Sequence, residues 1–295
     1  MKISGCTIVR NAIRLNYPFE ASVRSLIPIC DEFIINCGDS EDSTLDLCER
    51  LQREFPTKVR LLRATWETGP QADGFQLRHQ TDRVVSECKG DWCFYLQADE
   101  VVHEEDLKNI RTLATLANND PRIDGLVFDY LHFYGNYDYV IRGRNWYRRE
   151  VRLFKLGRDI RAFRDAQGFR KRGKRLRATP ARARIFHYGY VRTPSSLATK
   201  ANEMGRWWGE SPLNTPEDTK LRNHVGLTRF TQSHPAVMVD RVQAQNPTFD
   251  PAQSPRRWNS DEIKNAITLA WEKVFPFRVG EFKNYRFISF RQQGG

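Results

Sequence analysis

The sequence predicts an α/β fold built on a mixed, mostly parallel sheet, and three observations predict it. Short apolar runs alternate with segments of helical periodicity over the first 130 residues, which is the pattern of strand-helix units. Polar turns follow the apolar runs, and Pro or Gly ends several of the helical segments. A capping pattern at Asn259 predicts a C-terminal helical extension. We therefore expect one sheet with helices on both faces.

The elements of the first half follow in order. Strands are predicted over residues 3–9, 33–37 and 59–65. Helices are predicted over residues 19–29, which follow Pro18, over residues 44–55, which Pro56 ends, and over residues 77–88, which stop before Gly90. A fourth strand, residues 92–96, leads directly to two carboxylates. A helix over 103–118 and a strand over 125–131 complete the regular alternation.

Beyond residue 130 the chain is more aromatic and more basic. Residues 146–154 and 184–190 are predicted strands that extend the sheet and cover its ligand edge. Prolines between residues 235 and 255 predict an extended connector. Asn259 and Glu262 then begin a last helix, whose apolar face carries Ile263, Ile267, Ala270, Trp271 and Val274.

Composition excludes several protein classes. The 295 residues are 40% hydrophobic, which is enough to bury a large core. We find no apolar run of the roughly 18–20 residues that a membrane span needs, and the first strand begins too near Met1 for a signal peptide; we expect a cytoplasmic protein. The six cysteines show no Cys-x-x-Cys pair and no zinc spacing, which indicates reduced packing thiols.

The net charge of +11 is concentrated in residues 161–184, which hold ten Lys or Arg. We call this stretch the basic block. Such a block attracts phosphate on nucleotides, nucleic acids or lipid headgroups. The alternative is a solvated loop that only keeps the protein soluble.

Two adjacent carboxylates follow the fourth predicted strand, at Asp99 and Glu100. The carboxyl edge of an open α/β sheet is where ligands bind. Carboxylate oxygens there suit a hard divalent cation that is shared with a phosphate group. The alternative is an ordinary solvated turn.

Read in order, five segments resemble the family 2 glycosyltransferases of the GT-A fold: Val9-Arg10-Asn11, the strand that begins Asp31-Glu32, GDSEDST at 38–44, the helix with Arg78, and LQADE at 96–100. RDAQGFRK at 164–171 and the strand around His187 are similar to a bacterial subgroup of that family. The resemblance covers roughly residues 1–200. It implies a Rossmann-like GT-A domain at 1–230, with a nucleotide-binding half (1–130) and an acceptor half (131–230), and an extension at 231–295 packed on that core.

The resemblance also implies site residues. Asp99, Glu100 and His187 are the expected ligands of Mn²⁺ or Mg²⁺. The expected nucleotide-sugar contacts are Arg10, Asn11, Asp39, Arg78, Gln97 and Asp99. Gln97 stands where the family usually has the first Asp of its metal motif, so metal binding is expected to be weaker than with a full pair. Cys37 and Gly38 occupy the usual places of the acid that meets the nucleobase, which leaves Asp39 as the nearest carboxylate.

An acceptor hydroxyl must lose a proton during transfer, and a carboxylate is the usual base. Asp165 is the first candidate and Glu150 the second; the arginines beside Asp165 are expected to keep it ionised, or else to hold it in a structural salt bridge. Aromatic residues between 132 and 147 are expected to stack on sugar rings or to pack in the core.

The resulting hypothesis is an inverting, metal-dependent glycosyltransferase that moves a sugar from a nucleotide-sugar donor to a glycan or lipid-linked acceptor. The basic block would face an anionic acceptor or, peripherally, the anionic inner membrane surface, and no specific nucleic acid partner is expected. One rival is a sugar nucleotidyltransferase, which would usually carry a Gly-rich loop after the first strand; residues 9–12 are not Gly-rich. The other rival is a nucleic-acid-binding protein that uses the basic block.

Overall fold

The computed structural model describes residues 1–67, 74–208, 221–244, 247–275 and 277–290. The elements of the first half are β1 (Ile3–Val9), α1 (Phe19–Leu26), β2 (Glu32–Gly38), α2 (Thr44–Glu54), β3 (Val59–Ala64), α3 (Phe75–Ser86), β4 (Trp92–Tyr95), β5 (Glu100–Val102), α4 (Glu104–Asn118) and β6 (Gly125–Tyr134). Those of the second half are β7 (Tyr139–Ile141), β8 (Arg149–Lys155), β9 (Ile160–Phe163), β10 (Gly168–Lys171), β11 (Lys174–Tyr190), α5 (Pro194–Trp208), β12 (Leu227–Arg229), α6 (Val239–Ala244), α7 (Ser260–Val274) and β13 (Tyr285–Phe287).

One sheet organises the described part of the chain, in the strand order β3-β2-β1-β4-β8-β6-β11-β10-β9. The half that contains β3, β2, β1 and β4 is parallel. Beyond it, β8 runs antiparallel to both β4 and β6, while β6 and β11 are parallel. The carboxyl ends of β1 and β4 therefore lie side by side at one edge of the sheet.

Helices cover both faces of this sheet. On one face α1, α2 and α4 contribute Val23, Leu26, Cys48, Leu51 and Ile110 to the larger apolar core. On the other face α3 contributes Val84 and Val85 to a second core. The predicted fold class is confirmed: an α/β fold with a mixed sheet, parallel in its first half, helices on both faces and a C-terminal helix.

The structure differs from the predicted elements mainly after residue 96. The strand predicted at 184–190 is the end of the much longer β11, and β5 was not predicted as a separate strand. Residues 67–74, whose polar sequence favours a loop between β3 and α3, lie mostly outside the described residues. No helix among the described residues is long and apolar enough to cross a membrane.

The pairing of β5 with β11 brings the two parts of the candidate site together. Antiparallel pairing places Glu100 opposite His187, and the amide of Tyr188 donates to the carbonyl of Asp99 at 2.9 Å. A histidine 88 positions away in the chain is thus held beside the acid that follows β4. The sheet register, and not any local pattern, sets this proximity.

The last part of the chain contacts residues 143–148 and β11 through polar groups. β13 adds to the sheet beside β11. Arg278 donates to the carbonyls of Gly143 at 2.6 Å and Trp146 at 3.1 Å, and Glu281 accepts from Arg148 at 2.6 and 2.8 Å.

Candidate functional site

A cleft of about 450 Å³ opens at the carboxyl edge of β1 and β4, where open α/β sheets bind ligands. Several of the predicted site residues line it, together with aromatic side chains from both halves of the chain. The polar lining is Arg10, Asn11, Gln97, Asp99, His132, Asn145, Asp165, Gln167, His187, Lys200 and Glu203. The aromatic lining is Tyr17, Trp66, Tyr95, Trp146, Tyr147 and Tyr190.

Asp99 and His187 form the centre of this cleft. Both side chains are nearly buried, and His187 Nε2 lies 3.7 Å from Asp99 Oδ2. Gly189 leaves the space between them open, because a Cβ at that position would lie 2.7 Å from His187 Nε2 and 2.8 Å from Asp99 Oδ2. The two donor atoms therefore border a small gap that a methyl group would fill.

The hydrogen bonds of His187 fix which of its ring nitrogens carries the proton. His132 Nε2 lies 2.7 Å from the carbonyl oxygen of Tyr147, which can only accept, so His132 must carry its proton there. Burial lowers the pKa of His132 to about 4, and the neutral ring then accepts at Nδ1 from His187 Nδ1, 2.9 Å away. Burial also lowers the pKa of His187 well below its usual value. The Nε2 lone pair of His187 consequently faces Asp99.

Lys200, on α5, supplies the cation that Asp99 meets in this structure. Its Nζ donates to Asp99 Oδ2 at 2.9 Å and to the carbonyl of Gly189 at 3.1 Å. Burial opposes ionisation of Asp99, but the Lys200 ammonium outweighs it and holds the pKa of Asp99 well below its usual range. Burial lowers the pKa of Lys200 itself. A charged lysine thus lies at the carboxylate that was predicted as a metal ligand.

Glu100 has a different environment from its neighbour. Both of its oxygens accept from the Arg152 guanidinium, at 2.7 and 2.8 Å, and Tyr130 donates to it at 2.8 Å. Glu100 and Arg152 are fully buried. Because the carboxylate is satisfied within the protein, Glu100 has no need of a metal to balance its charge.

Asp165 lies in a tight hairpin loop between β9 and β10, at the side of the cleft that α3 borders. Arg164 and Ala166, on either side of it, have φ of 55° and 62°, a conformation that non-glycine residues rarely adopt and that often marks functional loops. Among the described residues no ion pair involves Asp165, and the Arg164 guanidinium lies over the rings of Phe163 and Phe282 instead. Burial raises the pKa of Asp165, and the structural salt bridge that was the alternative expectation is not found among the described residues.

Glu150 lies behind the cleft and does not appear in its described lining. Its Oε1 accepts from Gln167 Nε2 and from Asn284 Nδ2, both at 2.9 Å. Its Oε2 is buried with no hydrogen-bond partner in the described residues. Burial raises the pKa of Glu150 to about 7. Since Gln167 does line the cleft, Glu150 reaches the site through that amide.

The predicted nucleotide contacts divide into two groups. Arg10, Asn11 and Gln97 line the cleft, whereas Asp39 and Arg78 are not in its described lining. Asp39 is exposed and accepts from the Trp66 amide at 3.1 Å. Arg78 lies over the ring of Phe75 at 5.1 Å.

Asn11, directly after β1, has φ of 52° and is fully buried. Its Oδ1 accepts from the Glu41 amide at 2.8 Å, while its Nδ2 has no acceptor within the part of the chain that the structure describes. Arg10 is surrounded by acids, with Asp39, Glu41 and Glu203 all within 3.5 Å. Asn11 therefore keeps an unpaired amide donor that is itself buried, whereas Arg10 is engaged.

The aromatic residues between 132 and 147 have separate roles. His132, Trp146 and Tyr147 line the cleft, and Tyr147 contacts the His132 ring edge-on at 4.6 Å. Phe133 and Tyr137 pack in one apolar cluster, and Tyr134 and Tyr139 pack around Phe249 in another. The residues at the cleft are placed where sugar stacking would need them, and the others pack in the core, so each interpretation suits part of the group.

Much of the basic block is engaged inside the protein. Lys171 and Arg177 bind Asp124 at 2.8 and 3.0 Å. Arg172 binds Asp159 at 2.9 Å, and the buried Arg170 donates to the carbonyl of Asn284 at 2.8 Å. The surface that remains for a polyanion is smaller than the sequence count indicates.

Three of the six cysteines converge although their spacing gave no sign of it. Cys6 Sγ lies 3.3 Å from Cys93 Sγ, which lies 4.0 Å from Cys88 Sγ. Burial raises the pKa of the Cys6 and Cys93 thiols well above the usual value, which opposes the thiolate form that metals bind. We interpret the group as packing thiols within the core that α3 covers.

Lys200 and Gly189 were not predicted as site residues, and His132 was expected only among the aromatic residues that stack on sugars or pack in the core. Lys200 and Glu203 are three positions apart on α5, and so share one helix face, but nothing in that spacing says which face meets Asp99. Gly189 lies within β11, in residues that were predicted only as a strand. The one available signal was the small size of Gly189, two positions after the candidate ligand His187.

The chain shows only limited similarity to known proteins. No protein-family model matches the chain, and no curated protein matches it. Among solved structures, it is similar to S. aureus TarS 1-349, with 19% identity over 45% of this chain and 36% of that one and a TM-score of 0.31; TarS 1-349 was also solved in complex with UDP. It is similar to the Pyrobaculum calidifontis mannosyltransferase PcManGT in complex with GDP-Man and Mn²⁺, with 14% identity, the same coverage and a TM-score of 0.33. The chain spans about a third of these structures, and a likeness of this extent carries no argument about its ligands.

Proposed function

We propose that this protein is a metal-dependent, inverting glycosyltransferase that uses a nucleotide-diphosphate-sugar donor. The observation that carries the proposal is the meeting of Asp99, the Nε2 lone pair of His187 and Lys200 in one cleft at the carboxyl ends of β1 and β4. An acid, a neutral imidazole and an ammonium in a concave site suit a diphosphate and its cation.

The donor set fits a divalent cation such as Mn²⁺ or Mg²⁺. Asp99 and His187 would hold it, since their donor atoms border the gap that Gly189 leaves, and His132 orients the imidazole as a second-layer partner does in metal sites. When bound, such a cation stabilises the negative charge that develops on a departing diphosphate. Glu100 is outside this set because Arg152 and Tyr130 satisfy its carboxylate.

Lys200 gives the site a cation of its own. It neutralises Asp99 when no metal is bound, and it can donate to a diphosphate oxygen once Asp99 engages a metal. Arg192 adds to the positive field: its guanidinium is buried, and both Nη atoms have no partner among the described residues. Asn11, which lines the cleft, carries a buried Nδ2 donor with no acceptor among the described residues.

Asp165 is the proposed base for the acceptor hydroxyl. A raised pKa makes a carboxylate a stronger base near neutral pH, and its hairpin loop holds it at the cleft. Inversion needs one such group and no covalent nucleophile. Glu150 is proposed as a positioning residue that holds Gln167, and Trp146 and Tyr147 offer flat faces to the sugar rings of a glycan or lipid-linked acceptor.

Donor binding is tested by titrating the purified protein with UDP, GDP, ADP and their sugar conjugates, with and without Mn²⁺, and by measuring the melting temperature. A ligand present at 100 times its Kd stabilises the native state by about 2.7 kcal/mol. We expect one nucleotide series to raise the melting temperature, and Mn²⁺ to increase the shift. If no nucleotide shifts the melting temperature at millimolar concentration, the proposal is wrong.

Variants separate donor binding from transfer. Asp99→Asn should abolish the Mn²⁺-dependent part of the melting-temperature shift. Asp129, an exposed acid on β6 that pairs with Arg149, is the control: Asp129→Asn should leave the shift unchanged. Asp165→Asn should keep the donor-induced shift and lower turnover by about 10²-fold or more. Equal turnover in Asp165→Asn would exclude this residue as the base.

A further inference from the structure

Helix α7 meets the rest of the protein through its polar face. Its buried residues are Glu262, Asn265 and Thr268. Glu262 accepts from His224 at 2.5 Å and from the Val225 amide at 2.9 Å, and Asn265 accepts from the Arg144 amide at 2.8 Å. A surface helix of a soluble domain normally turns its polar face outward; α7 is oriented the other way.

The apolar face of α7 is consequently open to solvent. Ile263, Ile267, Trp271 and Val274 are 51%, 65%, 38% and 73% exposed. At 3.6 residues per turn, these four side chains fall within an arc of roughly 80°. The face that the sequence pattern marked as a packing surface therefore contacts no other part of the described chain extensively.

Aromatic residues after the helix enlarge this surface. The Trp271 ring stacks on Phe275 with centroids 4.1 Å apart, and Phe277 lies 5.8 Å from Trp271. Phe275 is 39% exposed and Phe277 48%. We define the α7 patch as Ile263, Ile267, Trp271, Val274, Phe275 and Phe277. Large contiguous exposed apolar surfaces of this kind mark contact sites for proteins or membranes.

The charges around the α7 patch are mostly positive. In residues 256–275, the exposed cations are Arg256, Arg257, Lys264 and Lys273, and the exposed acid is Asp261. Lys264, whose Nζ lies 3.6 Å from Asp261, falls about 20° beyond the Trp271 side of the apolar arc, and Lys273 falls about 80° beyond its Ile263 side. Glu262 and Glu272 face inward, to His224 and Arg278. An apolar strip edged by lysines is suited to anionic lipid headgroups, because the side chains can extend to the phosphates while the strip enters the acyl boundary.

We propose that the α7 patch docks this protein on an anionic membrane surface. A two-fold contact between two copies would set the same cations against each other, and like charges across an interface are unfavourable. A membrane rich in anionic lipid instead supplies the opposite charge. Arg278, just beyond the patch, is bonded to the carbonyl of Trp146, which lines the cleft; docking would hold that side of the cleft near the headgroups. Membrane docking itself does not depend on the proposed function. Only the idea that docking brings the cleft near a lipid-linked acceptor rests on the proposed function.

The test is co-sedimentation of the full chain with phosphatidylcholine vesicles that contain or lack phosphatidylglycerol. We expect binding to the anionic vesicles and little to the neutral ones. Ile267→Glu should lower the partition coefficient about tenfold or more, since one buried aliphatic side chain contributes that much. Leu116→Glu, on α4, is the matched control: it adds the same charge at a side chain that is 53% exposed, and it should bind like the parent.

Two further measurements keep the test decisive. Melting temperatures verify that Ile267→Glu is folded, which its exposure favours. Light scattering after gel filtration reports the oligomeric state. The proposal is overturned if the parent fails to bind anionic vesicles at low salt, if Ile267→Glu binds as well as the parent, or if the parent is a dimer that Ile267→Glu dissociates while neither binds vesicles. Because none of these readouts involves a nucleotide, they are independent of the glycosyltransferase proposal.

Discussion

Substituting Gly189 by alanine tests the proposed metal site with a single added carbon. Gly189 does not have the positive φ that would make alanine strained there. The new Cβ would lie 2.7 Å from His187 Nε2 and 2.8 Å from Asp99 Oδ2. The substitution changes no charge and removes no hydrogen-bonding group, so it isolates the space between the two donor atoms.

The size of the effect follows from these contacts. Ordinary van der Waals contact begins near 3.4 Å, so each donor atom must move by about 0.6 Å or more. Metal-ligand distances tolerate only about 0.2 Å. Loss of a group that orients a metal ligand typically lowers metal affinity by about 10 to 100-fold, and we expect displaced ligands to cost a similar factor. We therefore expect the Kd for Mn²⁺ to rise by that factor in Gly189→Ala.

The assay is isothermal titration of Mn²⁺ into the protein in the presence of the nucleoside diphosphate that binds best. Gly90→Ala is the matched control, because its Cβ would also be crowded, at 2.7 Å from Ser4 Oγ, but Gly90 precedes β4 whereas Asp99 follows it, at the other end of that strand. Equal Mn²⁺ affinity in Gly189→Ala and the parent, with both proteins folded, would refute the assignment of Asp99 and His187 as ligands.

Three other predictions follow from the same site. Lys200→Met should leave Mn²⁺ affinity equal or higher, because a competing cation is lost, and should weaken metal-free nucleoside diphosphate binding about tenfold or more; calorimetry checks both, and weaker Mn²⁺ binding would contradict the competition. His132→Phe removes the acceptor of His187 Nδ1 and should lower Mn²⁺ affinity about tenfold or more, whereas unchanged affinity would show that the tautomer is set by other groups. Glu150→Gln tests burial: the pKa of Glu150 is raised to about 7, so the native state loses stability as pH rises from about 4.5 to 7, on the order of 3 kcal/mol in all. Urea unfolding of Glu150→Gln should show a gain over the parent that grows across this pH window; parallel profiles would contradict it.

The regular first half was predictable from local patterns. Apolar runs and capping residues predicted β1, β2, β3 and the helices between them. These elements bury one face or stripe of side chains, and that burial leaves a periodic pattern of apolar residues in the sequence. Asn259 caps α7 as expected, with its side chain accepting from the amides of Asp261 and Glu262. The orientation of α7 was not predictable, since helical periodicity identifies a face but not what covers it.

The candidate site shows the same division. The order of motifs placed Asn11, Gln97, Asp99 and His187 at one sheet edge, and all four line the cleft. Their roles stay predictions. Lys200 could not be foreseen, because a lysine on an amphipathic helix is ordinarily a solvated charge, and the convergence of Cys6, Cys88 and Cys93 depends on packing between distant elements.

The sequence by itself determined the class of fold and the acid at the end of the fourth strand, because periodicity and turn chemistry act over a few residues. Only the tertiary structure decided which charge meets that acid, which nitrogen of His187 faces it, and that Glu100 is neutralised by Arg152. These are consequences of the pairing of β5 with β11 and of the docking of α5. Contacts between residues 52 to 101 positions apart are set by sheet register and burial, and no local pattern encodes them.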